Sequence, residues 1–216
     1  SGGPWTPIAT LVPAGDGSIN WTFLNTTNVS KIASIKVEDA SNNSVYDTSN
    51  STFNLTPEFD IIQPDDSSDI LIAEEEYTIK WSSTGANLSE VNLEYATDGG
   101  TIWNNVSTIR NVTNNGEYSW GSVNGTALTN TSLVRVTDPN RAESNATSSS
   151  NFPIRGKLNL TAPVNANENW RNGTTHDITW TYNGSMANVN IYYSSDGGTA
   201  WTKLNPNPIA CSNQSY

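Results

Sequence analysis

Cysteine is almost absent. Among 216 residues there is one, Cys211, which excludes an intrachain disulfide framework and a Cys-built zinc site. It stands at a hairpin loop and is read as an unpaired thiol. Histidine is as scarce. His176 alone cannot supply a hydrolase triad together with a metal set, and it falls in a loop just before a strand. The 10 basic residues are scattered among 21 acidic ones, so the net charge of −11 speaks against a nucleic-acid partner. No apolar run approaches the ~18 residues of a membrane span, so no membrane insertion is expected. No Lys-flanked apolar leader stands at the start, and any secretion signal is expected to have been removed. Leu, Ile, Val and Phe total 42, a level that borders on disorder in a charged chain. Eight Trp and eight Tyr argue the other way, because disordered chains are poor in aromatics.

What is abundant is small and polar. There are 30 Asn and 52 Ser plus Thr, and the acceptor pattern Asn-X-Ser/Thr occurs 16 times. The acceptors are Asn20, Asn25, Asn28, Asn42, Asn50, Asn54, Asn87, Asn105, Asn111, Asn124, Asn130, Asn145, Asn159, Asn172, Asn183 and Asn213. Chance at this composition gives about 7. The surplus predicts N-linked glycans, and with them an extracellular, cell-surface setting. Asn20, Asn54 and Asn159 flank inward-facing residues and are expected to face outward.

Self-comparison is the most informative pass. Trp21 matches Trp120, Ile35–Asp39 matches Val134–Asp138, Phe53–Leu55 matches Phe152–Ile154, and Ile79–Trp81 matches Ile178–Trp180, all 99 residues apart. Asp98-Gly99-Gly100 and Trp103 match Asp196-Gly197-Gly198 and Trp201 at a spacing of 98. Ser1-Gly2-Gly3-Pro4-Trp5 reads as a third, shortened copy of that turn. Within a period, Tyr77, Ile79 and Trp81 alternate with polar neighbours, as do Val91, Leu93 and Tyr95. Alternation with a period of two marks half-buried strands. The spacing predicts seven per period, over 59–63, 70–82, 90–96, 102–109, 116–121, 132–138 and 148–155. The fold class is therefore all-β, with tandem seven-stranded antiparallel β-sandwich modules repeating every 98–99 residues.

The Trp closing the second strand, the Val91-Asn92-Leu93-Glu94-Tyr95 strand and the later Tyr118-Ser119-Trp120 and Leu133–Thr137 strands resemble fibronectin type III and immunoglobulin-like modules. They are most similar to the tandem modules of secreted microbial surface proteins. The resemblance implies the fold and an adhesive or structural setting, and it brings no active site. Ser194–Trp201 also resembles an Asp-box hairpin, in which an Asp caps a tight Gly-Gly turn and a Trp anchors the hairpin on the core. The Arg cluster and the 40–50-residue blade period of a sialidase propeller are missing, and no enzyme is expected.

The phase of the repeat sets an expectation about assembly. Residues 59–156 make one complete module. Residues 1–58 match only the C-terminal half of a module and residues 157–216 only the N-terminal half. The first half would expose Trp21, Ile35, Val37, Phe53 and Leu55. Burying five such side chains is worth roughly 8–15 kcal/mol before entropy costs. The poles of a sandwich lie ~30–40 Å apart, so the two halves are held away from each other. Each is expected to be completed by a neighbour, head to tail, as copies of the chain in a filament. The alternative is a window through a longer covalent array, in an adhesin stalk or a carbohydrate-binding accessory module. The expected assembly residues are Trp5, Ile8, Leu11, Trp21, Ile35, Val37, Phe53 and Leu55 at one end and Trp180, Val189, Ile191 and Trp201 at the other. The arm with Trp5, Ile8 and Leu11 is the preferred donated strand. Residues 197–216 compete for the same slot. The acidic stretch Asp65, Asp66, Asp69 and Glu74–Glu76 is read as solvated loop, because a structural calcium site would repeat its ligands in the next copy. No other cofactor is expected. The Trp residues recur with the fold and are read as core.

Overall fold

The computed structural model of the chain describes residues 5–22, 28–108, 110–123, 128–165 and 168–216. The acceptors Asn25 and Asn124 and the turn residues Ser1–Pro4 lie outside the described residues. The fold is almost wholly β. Its helical content among the described residues is two single turns of 3-10 helix, Ala14–Asp16 and Cys211–Asn213.

The middle of the chain forms a β-sandwich-like unit. Phe59–Gln63, Tyr77–Ser83 and Glu117–Trp120 make a three-stranded antiparallel sheet. Glu90–Ala96 pairs with Asn104–Asn105, Asn111–Thr113 and Thr129–Asp138. Thr129–Asp138 also pairs with Arg141–Thr147 and Phe152–Arg155, and the last of these takes Leu71–Ile72 as a parallel partner. The period-two pattern decides which side chains go inside. Ile61, Ile79 and Trp81 from one sheet meet Val91, Leu93, Val134, Val136, Phe152 and Ile154 from the other in one buried cluster. Each such burial is worth about 1.5–3 kcal/mol. The Trp81 indole N–H is buried with a partner, Asn114 Oδ1 at 2.8 Å. Asn114 Nδ2 in turn donates to Leu88 O at 3.0 Å, which ties the turn beneath the strand.

The strand pattern differs in detail from expectation. The expected strand 70–82 is two, Leu71–Ile72 and Tyr77–Ser83, divided by a turn in which Glu74 has φ 65. The strand expected over 102–109 shrinks to Asn104–Asn105. Asn111–Thr113 and Arg141–Thr147 are additional strands. Arg141–Thr147 has little apolar content and escapes a periodicity reading. It is brought in by its turn, where buried Asp138 accepts the Asn140 N–H (2.8 Å) and pairs with Arg141 (2.7 Å).

Strand registers recur along the chain. Lys36–Asp39 pairs with Asn42–Thr48 as Lys36↔Thr48, Val37↔Asp47, Glu38↔Tyr46 and Asp39↔Asn42, with an irregularity before Asp39. Arg135↔Thr147, Val136↔Ala146, Thr137↔Asn145 and Asp138↔Arg141 repeat these pairs 99 residues later, irregularity included. Ser30↔Leu55 and Ala33↔Phe53 correspond in the same way to Thr129↔Ile154 and Ser132↔Phe152. Ile61↔Trp81 and Gln63↔Lys80 correspond to Leu160↔Trp180 and Ala162↔Thr179. Glu94↔Asn105 and Tyr95↔Asn104 return 98 residues on, as Tyr192↔Lys203 and Tyr193↔Thr202.

The contacts from the middle unit to its flanks recur as well. Gly85 (φ 94) lies so close to Val29 that a Cβ there would meet Val29 Cγ1 at 2.6 Å. Gly184 (φ 87) approaches Leu128 and Ala73 equally tightly, with both at 2.9 Å from such a Cβ. Both positions need glycine twice over, for the left-handed backbone and for the close approach.

The flanks are smaller. The N-terminal flank has the pairs Ser30–Ala33 with Phe53–Leu55 and Lys36–Asp39 with Asn42–Thr48. The C-terminal flank pairs Lys157–Ala162 with Thr179–Asn183, Asn188–Val189 with Ile209–Ala210, and Tyr192–Tyr193 with Thr202–Lys203. Its own core is Trp180, Val189 and Cys211. Among the described residues, no strand pairing joins residues 5–55 to residues 157–216.

Candidate assembly edges

The N-terminal edge is the strand Lys36–Asp39. Its register counterpart in the middle unit is flanked on both sides, by Arg141–Thr147 and by Glu90–Ala96. Among the described residues Lys36–Asp39 has the first neighbour only. The side chains follow: Val136 is fully buried, whereas Val37 is 71% exposed. Trp21, Ile32, Val45 and Tyr46 are also exposed. The expected assembly residues Ile35, Phe53 and Leu55 are half-buried rather than open. Pairing of Ser30–Ala33 with Phe53–Leu55, and the hydrogen bond from Ser49 N–H to Ile35 O (2.9 Å), draw them partly under cover.

The C-terminal edge is the run through Asn188–Val189 and Tyr192–Tyr193. Glu90–Ala96, which holds the matching place, pairs on one side with Thr129–Asp138. Among the described residues, 188–193 have only the strands at 202–203 and 209–210, on the opposite side. Trp180 and Val189 are buried and Ile191 is half-buried, while Leu158, Leu160, Tyr192, Tyr193, Leu204 and Trp201 are exposed. Leu160 is 49% exposed, against 3% for its counterpart Ile61.

The slot considered for the arm is occupied by the chain's own end. Residues 202–203 and 209–210 pair there, and Tyr216 exchanges two hydrogen bonds with Ile178, both 2.9 Å. Trp5, Ile8 and Leu11 are exposed, and the Lys36 ammonium lies 5.9 Å from the Trp5 ring centroid. The same pairing stands in the middle unit, where the Arg135 guanidinium is 4.2 Å from the Trp103 ring and also grips Glu94 at 2.6 Å.

The Asp-capped turns form as expected. Asp196 Oδ1 accepts the N–H groups of Thr199 (3.1 Å) and Ala200 (3.0 Å), and Asp98 Oδ1 accepts those of Thr101 (2.9 Å) and Ile102 (3.1 Å). The backbone N–H of Ala200, then the Ser194 hydroxyl, holds the Asp196 carboxyl below the usual carboxylate range. Gly99, Gly100, Gly197 and Gly198 all have positive φ. The Trp is a different matter. Trp201 was expected on the core and is instead 62% exposed, and among the described residues no cation lies over it as Arg135 lies over Trp103.

The remaining candidates are accounted for locally. His176 is exposed and stacks on Trp170 with ring centroids 4.6 Å apart and planes 3° from parallel. Trp170, read as core from its counterpart Leu71, is itself exposed. In the acidic stretch, Asp69 accepts the Asp65 N–H at 2.7 Å and the Tyr77 hydroxyl at 3.3 Å. Burial, then the Asp69 charge, pushes the Tyr77 hydroxyl up to about 12. Asp65 accepts from Ser149, Glu75 pairs with Lys157, and Glu76 accepts from Ser119. Among the described residues no three of His, Cys, Asp and Glu are grouped to hold a metal ion. Cys211 is not at an open hairpin. It is fully buried, and its carbonyl accepts the Trp180 indole N–H at 3.2 Å. It thus takes the place of Asn114 rather than Thr113. Of the described acceptors, Asn20, Asn28, Asn42, Asn50, Asn54, Asn87, Asn105, Asn111, Asn130, Asn145, Asn159, Asn172 and Asn213 are exposed, and Asn183 is half-buried.

Lys36, Leu160, Tyr193 and Leu204 went unnoticed in the sequence as edge residues. Their counterparts Arg135, Ile61, Tyr95 and Val106 carry the signal, once the 98- and 99-residue offsets are applied to every strand. No protein-family model matches the chain, and no curated protein and no solved structure is significantly similar to it.

Proposed function

We propose that this chain is a structural element of an extracellular, N-glycosylated filament or surface fibre, built from tandem immunoglobulin-like or fibronectin III-like sandwich modules. Copies join head to tail, each half-sandwich being completed by a neighbour. One observation carries the reading. Among the described residues, the strand neighbour that Lys36–Asp39 lacks is the one that residues 188–193 represent, and the reverse holds equally. An edge of this kind with exposed apolar side chains invites pairing. The recurrent joints at Gly85 and Gly184 fit a regular string of modules. The role is mechanical rather than catalytic.

Sedimentation velocity and electron microscopy of the purified chain test the proposal. Linear particles growing with concentration are expected, and monodisperse monomers across the accessible range would end it. The exposed Tyr192, Tyr193 and Trp201 favour a second reading, a carbohydrate-binding or adhesin-stalk module. Glycan binding that is lost in Tyr192→Ala while the chain stays monomeric would select that reading.

A further inference from the structure

We propose a specific register for the seam: residues 34–38 of one copy pair antiparallel with residues 190–194 of a second copy. The pairs are Ser34 with Ser194, Ile35 with Tyr193, Lys36 with Tyr192, Val37 with Ile191, and Glu38 with Asn190. This rests on the head-to-tail reading and deepens it.

The template is internal. In the middle unit Leu133↔Ala96, Val134↔Tyr95, Arg135↔Glu94, Val136↔Leu93 and Thr137↔Asn92 form the central pairing of the larger sheet. Lys36–Asp39 reproduces the first of these strands in its hairpin register. Tyr192–Tyr193 reproduces the second in its pairing with Thr202–Lys203. A strand whose partners on one side are placed residue for residue has its other side placed too, because the pleat allows no one-residue slip without turning every side chain over. In the proposed register Ile35 and Val37 face inward beside Ile191 and Tyr193, as Val134 and Val136 do beside Leu93 and Tyr95. A slip of one would put Lys36 and Glu38 into the core.

A second contact comes with the first. Ile154 pairs in parallel with Leu71 at the far side of the same sheet. The corresponding residues are Leu55 and Trp170, and Trp170 is exposed in the free chain. Strands 30–39 and 53–55 of one copy therefore insert between two segments of the next, gaining an edge on each side. The occupant is a second copy because the two open borders and the inward face match one sequence at once.

The seam differs from its template on the solvent face. Arg135 grips Glu94 and lies over Trp103. The matching residues are Lys36, Tyr192 and Trp201. In the free chain Lys36 pairs with Glu38 on its own strand and lies 5.0 Å from the Tyr46 ring, so the seam brings Tyr192 and Trp201 to a cation in place of a second ion pair. This gives a partner to Trp201, which is 62% exposed in the free chain.

Single variants Glu38→Cys and Asn190→Cys, both at exposed positions, are mixed and oxidised gently. The control is Glu38→Cys with Ser194→Cys, four residues or ~13 Å out of register. Wild-type chain, whose Cys211 is buried, sets the background. The matched mixture is expected to give at least about tenfold more covalent dimer, since a disulfide tolerates Cα separations only up to ~7 Å. Equal yields, or a larger yield from the control, in a mixture that still sediments as oligomers would overturn the register and leave head-to-tail assembly standing. Wild-type chain that stays monomeric would overturn both.

Discussion

Val37 and Val136 hold the same position in two hairpins of matching register, yet one is 71% exposed and the other is at 0%. Side-chain chemistry and local backbone are shared. Val136 has the strand Glu90–Ala96 beside it and the sheet that carries Ile61, Ile79 and Trp81 across from it, and among the described residues Val37 has neither. The exposure of Val37 is thus a property of what surrounds it and not of its own strand.

That contrast separates stability from association. Val136→Ala is expected to destabilise the middle unit by on the order of 2 kcal/mol, the cost of a cavity in a packed core. Val37→Ala is expected to change stability by no more than about 0.5 kcal/mol and to weaken self-association. Urea unfolding reads the first and sedimentation the second. Equal losses of stability in both variants would mean that Val37 is already packed in the free chain.

The Asp196 turn gives a pH dependence. Its carboxyl is held below its ordinary value by the Ala200 N–H first and the Ser194 hydroxyl second. A depressed folded-state pKa contributes stability above the unfolded value, and that contribution fades as pH falls through the folded value. The turn should stay intact at pH 5 and loosen only below the usual Asp range of about 3.9. In an amide NMR titration, the Thr199 and Ala200 resonances should move with a midpoint below that range. A midpoint at or above it would show that these hydrogen bonds do not hold the charge.

Part of the fold is legible in the alternation of apolar residues along the chain. Phe59–Gln63 and Glu90–Ala96 were placed to the residue because apolar alternation and flanking turn residues agree there. Arg141–Thr147 was missed because its strand status comes from a buried Asp138–Arg141 turn, a tertiary feature without periodicity. Trp201 was misplaced for a related reason. Its counterpart Trp103 is covered by Arg135, and no local pattern reveals that the covering residue is absent. Ile35 and Leu55, read as open from the sequence, are half covered by short local strand pairs that no alternation pattern shows.

Cys211 is buried against Trp180 in the small C-terminal core. Its thiol should resist an aromatic disulfide reagent in the native chain and react stoichiometrically once the chain is unfolded. Rapid reaction under native conditions would show that the C-terminal flank opens freely. Trp180→Ala should itself speed that reaction, by removing the indole N–H that holds the Cys211 carbonyl.

The glycan expectation is residue-specific. Exposed acceptors such as Asn20, Asn54 and Asn159 should carry added mass in native material, and half-buried Asn183 should be left bare. Peptide mapping before and after glycan removal decides this. Native material with every acceptor unmodified would remove the glycan coat from the proposal.

The N-terminal arm supplies the sharpest test of the seam. Trp5 lies at the edge of contact with Lys36, the residue that the proposed register gives to Tyr192 and Trp201 of the next copy. Trp5 and Trp201 both answer to the template ring Trp103, so they compete for one face of Lys36, whose other ring contact is Tyr46 at 5.0 Å, and the arm must yield before the seam closes. A cation–π contact at an exposed site is worth about 0.5–1 kcal/mol, equivalent to a roughly two- to fivefold change in an equilibrium constant. Trp5→Ala should therefore tighten self-association by about that factor, read as a shift of the sedimentation isotherm to lower concentration. Lys36→Ala should weaken it, because Tyr192 and Trp201 then meet no cation at that place in the seam. If Trp5→Ala weakens association instead, the arm acts across the seam as a donated strand, and its place over Lys36 is a resting position rather than a competing one.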